Sequence, residues 1–172
     1  MKQLLVMRHA KSDWHAGGTS DHERPLNRRG ISSARVMGTA LARLGLEPEL
    51  VLTSTAVRAH TTATLAADAG GWSSPVVTDE RLYDSYVDGV LAVIAETPEH
   101  VERLMVVGHQ PTWGALVERL TGAAAAMRTA SVAVVDLMVG REWDIGGDPA
   151  GHAAGELSGL LQPRYFMDSE TD

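Results

Sequence analysis

Short apolar runs alternate with helix-patterned segments along this chain, and that alternation constrains the fold more than any single residue does. Leu4 to Met7, Leu50 to Thr53, Val76-Val77, Leu104 to Val107 and Val132 to Val139 are rich in aliphatic residues and bounded by turn formers, as buried strands are. The segments between them repeat apolar residues at spacings of three and four, as amphipathic helices do. Strand and helix taking turns in this way predict an α/β fold with a mostly parallel sheet covered by helices. In such folds chemistry collects in the crevice at the carboxyl ends of the strands. The residues just after each apolar run are therefore the ones to read for function.

Local signals set the expected boundaries. Asn27 is placed to cap a helix bearing Ile31, Ala34, Met37, Leu41 and Leu44, with Gly45 at its end. Ser54 or Thr55 is expected to cap a second helix over 56–69, stopped at Gly70-Gly71 and carrying Arg58 in its first turn. A third helix around 88–96 ends at Thr97-Pro98, and a fourth opens with Pro111 as its first residue and closes at Gly122. The polar stretch from Lys11 to Pro25, with Gly17-Gly18-Thr19-Ser20, reads as a surface loop bordering the crevice. Val132 to Val139 reads as the last long strand, and 146–172, rich in Gly, Asp and Ser, as a loop and loosely held tail. A length of 172 residues with 44% hydrophobic residues suits a single domain.

Composition narrows the function. A net charge of −7 with no run of Lys and Arg predicts no nucleic-acid partner, so any anion site must be a local pocket of positive charge. The chain has no cysteine, which excludes disulfides and thiol nucleophiles and fits a reducing compartment. Leu4 to Met7 is too short for the apolar core of a signal peptide and no run approaches a membrane span, so the expectation is a soluble, cytoplasmic protein.

Two histidines occupy matching positions: His9 follows the first strand beside Arg8, and His109 follows the strand at Leu104 to Val107. Arg58 sits just past the strand at Leu50. If these strands are parallel neighbours, two arginines and two histidines surround one point, which suits a tetrahedral phosphate dianion. Arginine offers a rigid fork to phosphate oxygens, and an ion pair at 4 Å is worth roughly 4 kcal/mol at an effective dielectric of 20, before desolvation. A neutral imidazole held among such cations can attack phosphorus and carry the phosphoryl group covalently. Asp84, Glu80 and Asp21 are the candidate general acids. A metal site is not expected, because Arg8 and Arg58 would repel a dication and no His-x-His spacing is present.

The ordered set Met7-Arg8-His9, Ser54 with Arg58-Ala59 and Thr62-Ala63, and Gly108-His109 with Pro111 resembles the histidine phosphatase (phosphoglycerate mutase-like) superfamily. The run Asp21-His22-Glu23-Arg24-Pro25-Leu26-Asn27 and the short length are most similar to its SixA-type phosphohistidine phosphatases. The resemblance implies a three-layer α/β/α fold and cofactor-free phosphatase chemistry. It makes His9 the phosphorylated nucleophile, with Arg8, Arg58 and His109 binding the phosphoryl group, and it puts Arg24 and Ser54 on the substrate side. Ala10-Lys11-Ser12 depart from the Arg-His-Gly of the wider superfamily, and Asp84 stands where a glutamate is usual. The implied partner is a phosphohistidine protein; a small phosphorylated metabolite and a phosphate-binding module without turnover are the alternatives. Arg24 serves equally as an ion-pair partner for Asp21 or Glu23. His15, His22, His60, His100 and His152 read as solvated, and Trp14, Trp72, Trp113 and Trp143 as packing anchors, with Trp14 and Trp113 near the site loops.

Overall fold

The computed structural model describes residues 2–17, 20–143, 145 and 154–167. Strands β1 (Lys2–Arg8), β2 (Leu50–Ser54), β3 (Val76–Asp79), β4 (Arg103–Gly108), β5 (Val132–Leu137) and β6 (Gly155–Leu161) form one sheet in the order β3-β2-β4-β1-β5-β6. The first four are parallel, β5 runs antiparallel to β1, and β6 runs antiparallel to β5. Helices α1 (Arg28–Arg43), α2 (Val57–Gly70), α3 (Val87–Ala95) and α4 (Thr112–Thr121) cover it.

Side-chain alternation along the strands builds two cores. Leu4, Val6, Leu104 and Val106 pack with Val90, Ile94, Leu116 and Leu120 of α3 and α4. Leu5, Met7, Met105 and Val107 point the other way, against Met37, Leu41, Ala59 and Ala63 of α1 and α2. The result is the expected three-layer α/β/α arrangement. Each fully buried aliphatic side chain contributes about 1.5–3 kcal/mol relative to exposure, so both faces of β1 and β4 are strongly committed. Helices α1 and α2 approach closely at Gly38, where a Cβ would lie 2.0 Å from the Ala66 carbonyl oxygen. Only glycine fits there.

Several boundaries differ from the sequence reading. Asn27 caps α1 as expected, its side chain accepting from Gly30 N–H at 2.8 Å, but Ile31 and Leu44 stay exposed. Ala56 occupies the N-cap of α2 without a side-chain hydrogen bond, instead of Ser54 or Thr55, whose hydroxyls meet His109 and His22. Pro111 is the N-cap of α4, so the helix opens at Thr112, one residue later than expected. Strand β5 ends at Leu137 and is not the last, since residues 155–161 of the expected loose tail pair with it as β6. Gly18, Thr19, 146–153 and 168–172 lie outside the described residues.

Candidate active site

β2, β4 and β1 are adjacent and parallel, so their carboxyl ends deliver Ser54, His109 and Arg8-His9 to one edge of the sheet. Arg8 pairs in register with Gly108, and the His9 backbone N–H donates to the Gly108 carbonyl at 2.9 Å. The two imidazole centroids are consequently 5.1 Å apart. Gly108 is required by Trp113, whose ring would lie 2.2 Å from any Cβ there; the indole N–H donates to the Val106 carbonyl at 3.2 Å. The backbone of the turn is pinned from α2 as well: Thr62 Oγ1 accepts from Ala10 N–H at 2.9 Å and donates to the Arg58 carbonyl at 2.6 Å.

The contacts of His9 define its tautomer. Nδ1 lies 2.7 Å from the Ala10 carbonyl, which can only accept, so Nδ1 carries the proton and Nε2 keeps a lone pair when the ring is neutral. Burial lowers its pKa to about 4; the Ala10 bond opposes this, and the charges of Arg58, Arg8 and Arg24 reinforce it. His109 is lowered to about 3 by burial and by His9, Arg58 and Arg24, with Asp21 acting in the opposite direction. Its Nε2 is 2.8 Å from the Ser54 hydroxyl, which also accepts from Ala56 N–H at 3.2 Å, and its buried Nδ1 has no partner among the described residues. Both rings are neutral at ordinary pH.

Three guanidinium groups bear on these rings. Arg8 donates from Nη1 to the Met127 carbonyl at 3.0 Å. Arg58 donates from Nη1 to the Asp21 carbonyl oxygen at 2.6 Å and from Nη2 to Asp21 Oδ2 at 3.1 Å. Arg24 donates to the Ser12 hydroxyl and, at 3.0 Å, to Asp21 Oδ1, while its guanidinium lies 3.6 Å from the centroid of the Trp14 ring. Tyr83 completes the set by donating to Asp21 Oδ2 at 2.8 Å. These bonds, with that from Arg24 the largest cause, hold the Asp21 carboxyl far below the usual carboxylate range. The Nε–H groups of Arg8, Arg24 and Arg58 remain buried and, among the described residues, without partners. A buried unpaired donor costs about 1–3 kcal/mol, a penalty that an arriving anion would relieve.

Arg8, His9, Arg24, Ser54, Arg58 and His109 thus come together as the sequence reading required. Asp84 reaches the rim: it is exposed, adopts φ 52°, and lines a cavity of about 170 Å³ with Tyr83, His109, Gln110 and Thr112. Glu80 is exposed in a 3-10 turn and is not among the lining residues. Arg24 forms the ion pair with Asp21 that one reading offered, while lying near the His9 and His109 rings; Glu23 instead bonds Ser20. His22 is not simply solvated: Nε2 lies 2.9 Å from the Thr55 hydroxyl and its ring meets Tyr83 edge-on at 4.8 Å. His15, His60 and His100 are exposed, and His152 lies outside the described residues. Trp72, Trp113 and Trp143 are buried anchors, whereas Trp14 is 75% exposed over Arg24. Tyr83 was missed as a site residue, and Thr62, quoted in the motif, was given no role, although the four-residue step from Arg58 to Thr62 places both on one helix face.

Comparison with known proteins agrees with this geometry. A family model for the histidine phosphatase superfamily (branch 1) matches residues 4–88. The SixA structure from Nakamurella multipartitia is 30% identical with a TM-score of 0.77, covering 94% of this chain and 96% of that one. A structure of the protein histidine phosphatase SixA complexed with tungstate is 28% identical with a TM-score of 0.78, covering 96% and 99%. An uncharacterized protein of Mycobacterium leprae is 38% identical over 119 residues, 67% of this chain and 71% of its own length. Sheet order, strand-end chemistry and these likenesses coincide: the chain belongs to the histidine phosphatase superfamily and is a phosphatase.

Proposed function

We propose that this protein is a metal-independent phosphohistidine phosphatase of the SixA type, with His9 Nε2 as the nucleophile. The observation that carries the reading is the set of buried, unpartnered Nε–H groups of Arg8, Arg24 and Arg58 around an imidazole whose Nδ1 is already engaged. In the first step the Nε2 lone pair forms a bond to phosphorus while the bond from phosphorus to the substrate nitrogen breaks, leaving with the electron pair. Arg8, Arg58 and His109 hold the equatorial oxygens as charge redistributes. In the second step water attacks phosphorus and the bond to Nε2 breaks, releasing phosphate and restoring the neutral ring.

Asp21 is a poor proton donor, because its arginine and tyrosine partners keep it ionised. Asp84, exposed on the cavity beside His109, is the better placed acid for the departing group. An imidazole leaving group demands less protonation than a sugar alkoxide, which favours a phosphoramidate substrate. The similarity to SixA supports the same choice.

The test is a comparison of kcat/KM for a phosphohistidine-bearing protein with a panel of small phosphoesters, before and after dialysis against EDTA. Preference for the phosphohistidine protein with unchanged activity after chelation is expected. Preference for one metabolite would move the assignment to a small-molecule phosphatase, and loss of activity restored by zinc would overturn metal independence.

A further inference from the structure

Helix α1 carries Arg28, Arg29, Arg35 and Arg43 and no acidic residue, in a chain whose net charge is −7. All four are exposed, and among the described residues none of their side chains makes an ion pair or hydrogen bond. At about 100° per residue, Arg28, Arg35 and Arg43 fall within one stripe roughly 80° wide and about 22 Å long. It begins four residues after Arg24, so it leads outward from the rim of the active site. Near its far end a groove of about 370 Å³ lies among Arg35, Val36, Arg43, Leu44 and Phe166. Leu44 and Phe166 are 52% and 38% exposed there, apolar surface lining the same groove as Arg35 and Arg43.

We propose that the outer face of α1 docks an acidic, amphipathic segment of the phosphorylated protein substrate, seating an apolar side chain between Arg35 and Arg43. This rests on the phosphoprotein reading of the active site. Charge complementarity selects the partner: an unpaired basic stripe on an acidic body attracts carboxylates and steers their approach. A nucleic acid would be repelled by the rest of the chain, and it needs no apolar groove. An anionic membrane fits less well, because the apolar stripe of α1 is already buried against the sheet at Ala34, Met37 and Leu41 and cannot insert.

The experiment measures binding of a fluorescent peptide alternating Glu with Leu, alongside phosphatidylserine vesicles and a DNA duplex, for the wild type and for Arg35→Ala/Arg43→Ala. Salt-sensitive binding of the peptide is expected, weakened about five- to tenfold in the double variant, with p-nitrophenyl phosphate turnover unchanged within about twofold. Equal affinity in the two proteins, or preference for vesicles or DNA, would overturn the proposal. So would binding that appears only after deletion of 168–172, whose sequence Asp-Ser-Glu-Thr-Asp would then be the groove's occupant. Peptide binding without hydrolysis of a phosphohistidine protein would keep the surface and sink the phosphoprotein reading; hydrolysis without peptide binding would do the reverse.

Discussion

Asp21 holds Arg58 at two points: its backbone carbonyl takes Nη1 at 2.6 Å and its carboxylate takes Nη2 at 3.1 Å, which leaves the Nε edge unpartnered among the described residues. The same carboxylate takes an η nitrogen of Arg24 and the Tyr83 hydroxyl. Charge-assisted bonds of this kind are worth about 1.5–3 kcal/mol each. Asp21→Asn should therefore lower kcat/KM about 10- to 100-fold by loosening both arginine forks. It should leave the shape of the pH profile unchanged, because an ionised Asp21 is not the acid. A changed shape in the variant would restore Asp21 as the proton donor.

The pH dependence follows from the two depressed imidazoles. His9 titrates near 4 in the free enzyme, so kcat/KM should be flat across neutral pH and fall to half near pH 4, where an ordinary histidine nucleophile would fail near 6.5. Stability has a matching sign. Below about 6.5 the unfolded chain binds protons that the folded His9 and His109 refuse, so stability declines as pH falls from about 6.5 toward 4 and 3. A bound phosphate dianion should raise both values, measurable as a shift of the histidine titrations by NMR with added vanadate or phosphate. Titration of His9 near 6.5 without ligand would contradict the burial argument.

Thr62 joins the backbone that follows His9 to helix α2 through Ala10 N–H and the Arg58 carbonyl. Thr62→Val keeps the shape and leaves the buried amide without an acceptor. The expected loss is about 1–3 kcal/mol in denaturant unfolding, with reduced kcat. A variant as stable and active as the wild type would show that the link is dispensable.

Gly108→Ala should destabilise the fold by about 1–3 kcal/mol and displace His109, since the new methyl would overlap the Trp113 ring. Pairing the change with Trp113→Leu should recover part of the stability, a coupling that a double-mutant cycle reads directly. Additive effects would mean that the two residues do not constrain each other.

Much of the site was legible because its members stand immediately after apolar runs, and a parallel sheet turns that position in sequence into a place in space. That position pointed to Arg8, His9 and His109; Arg58 needed the surrounding motif, and the resemblance ranked the two histidines. Asp21 and Tyr83 were different: their bond joins two loops 62 residues apart, and no local pattern announces it. β6 was hidden for another reason. Its sequence GELSGLL carries Gly and Ser at an edge with little buried surface, so apolar patterning there is weak. The cap of α2 was misplaced because Ser54 and Thr55 direct their hydroxyls to His109 and His22, tertiary uses that override their local preference.

The central claim is covalent transfer of the phosphoryl group to His9. Rapid acid-free quenching of enzyme turning over a 32P-labelled phosphohistidine protein, followed by peptide mapping, should place base-stable, acid-labile label on the peptide containing His9, and none on His9→Ala. Equal label on the His9→Ala protein, or turnover by that variant at the wild-type rate, would contradict the account.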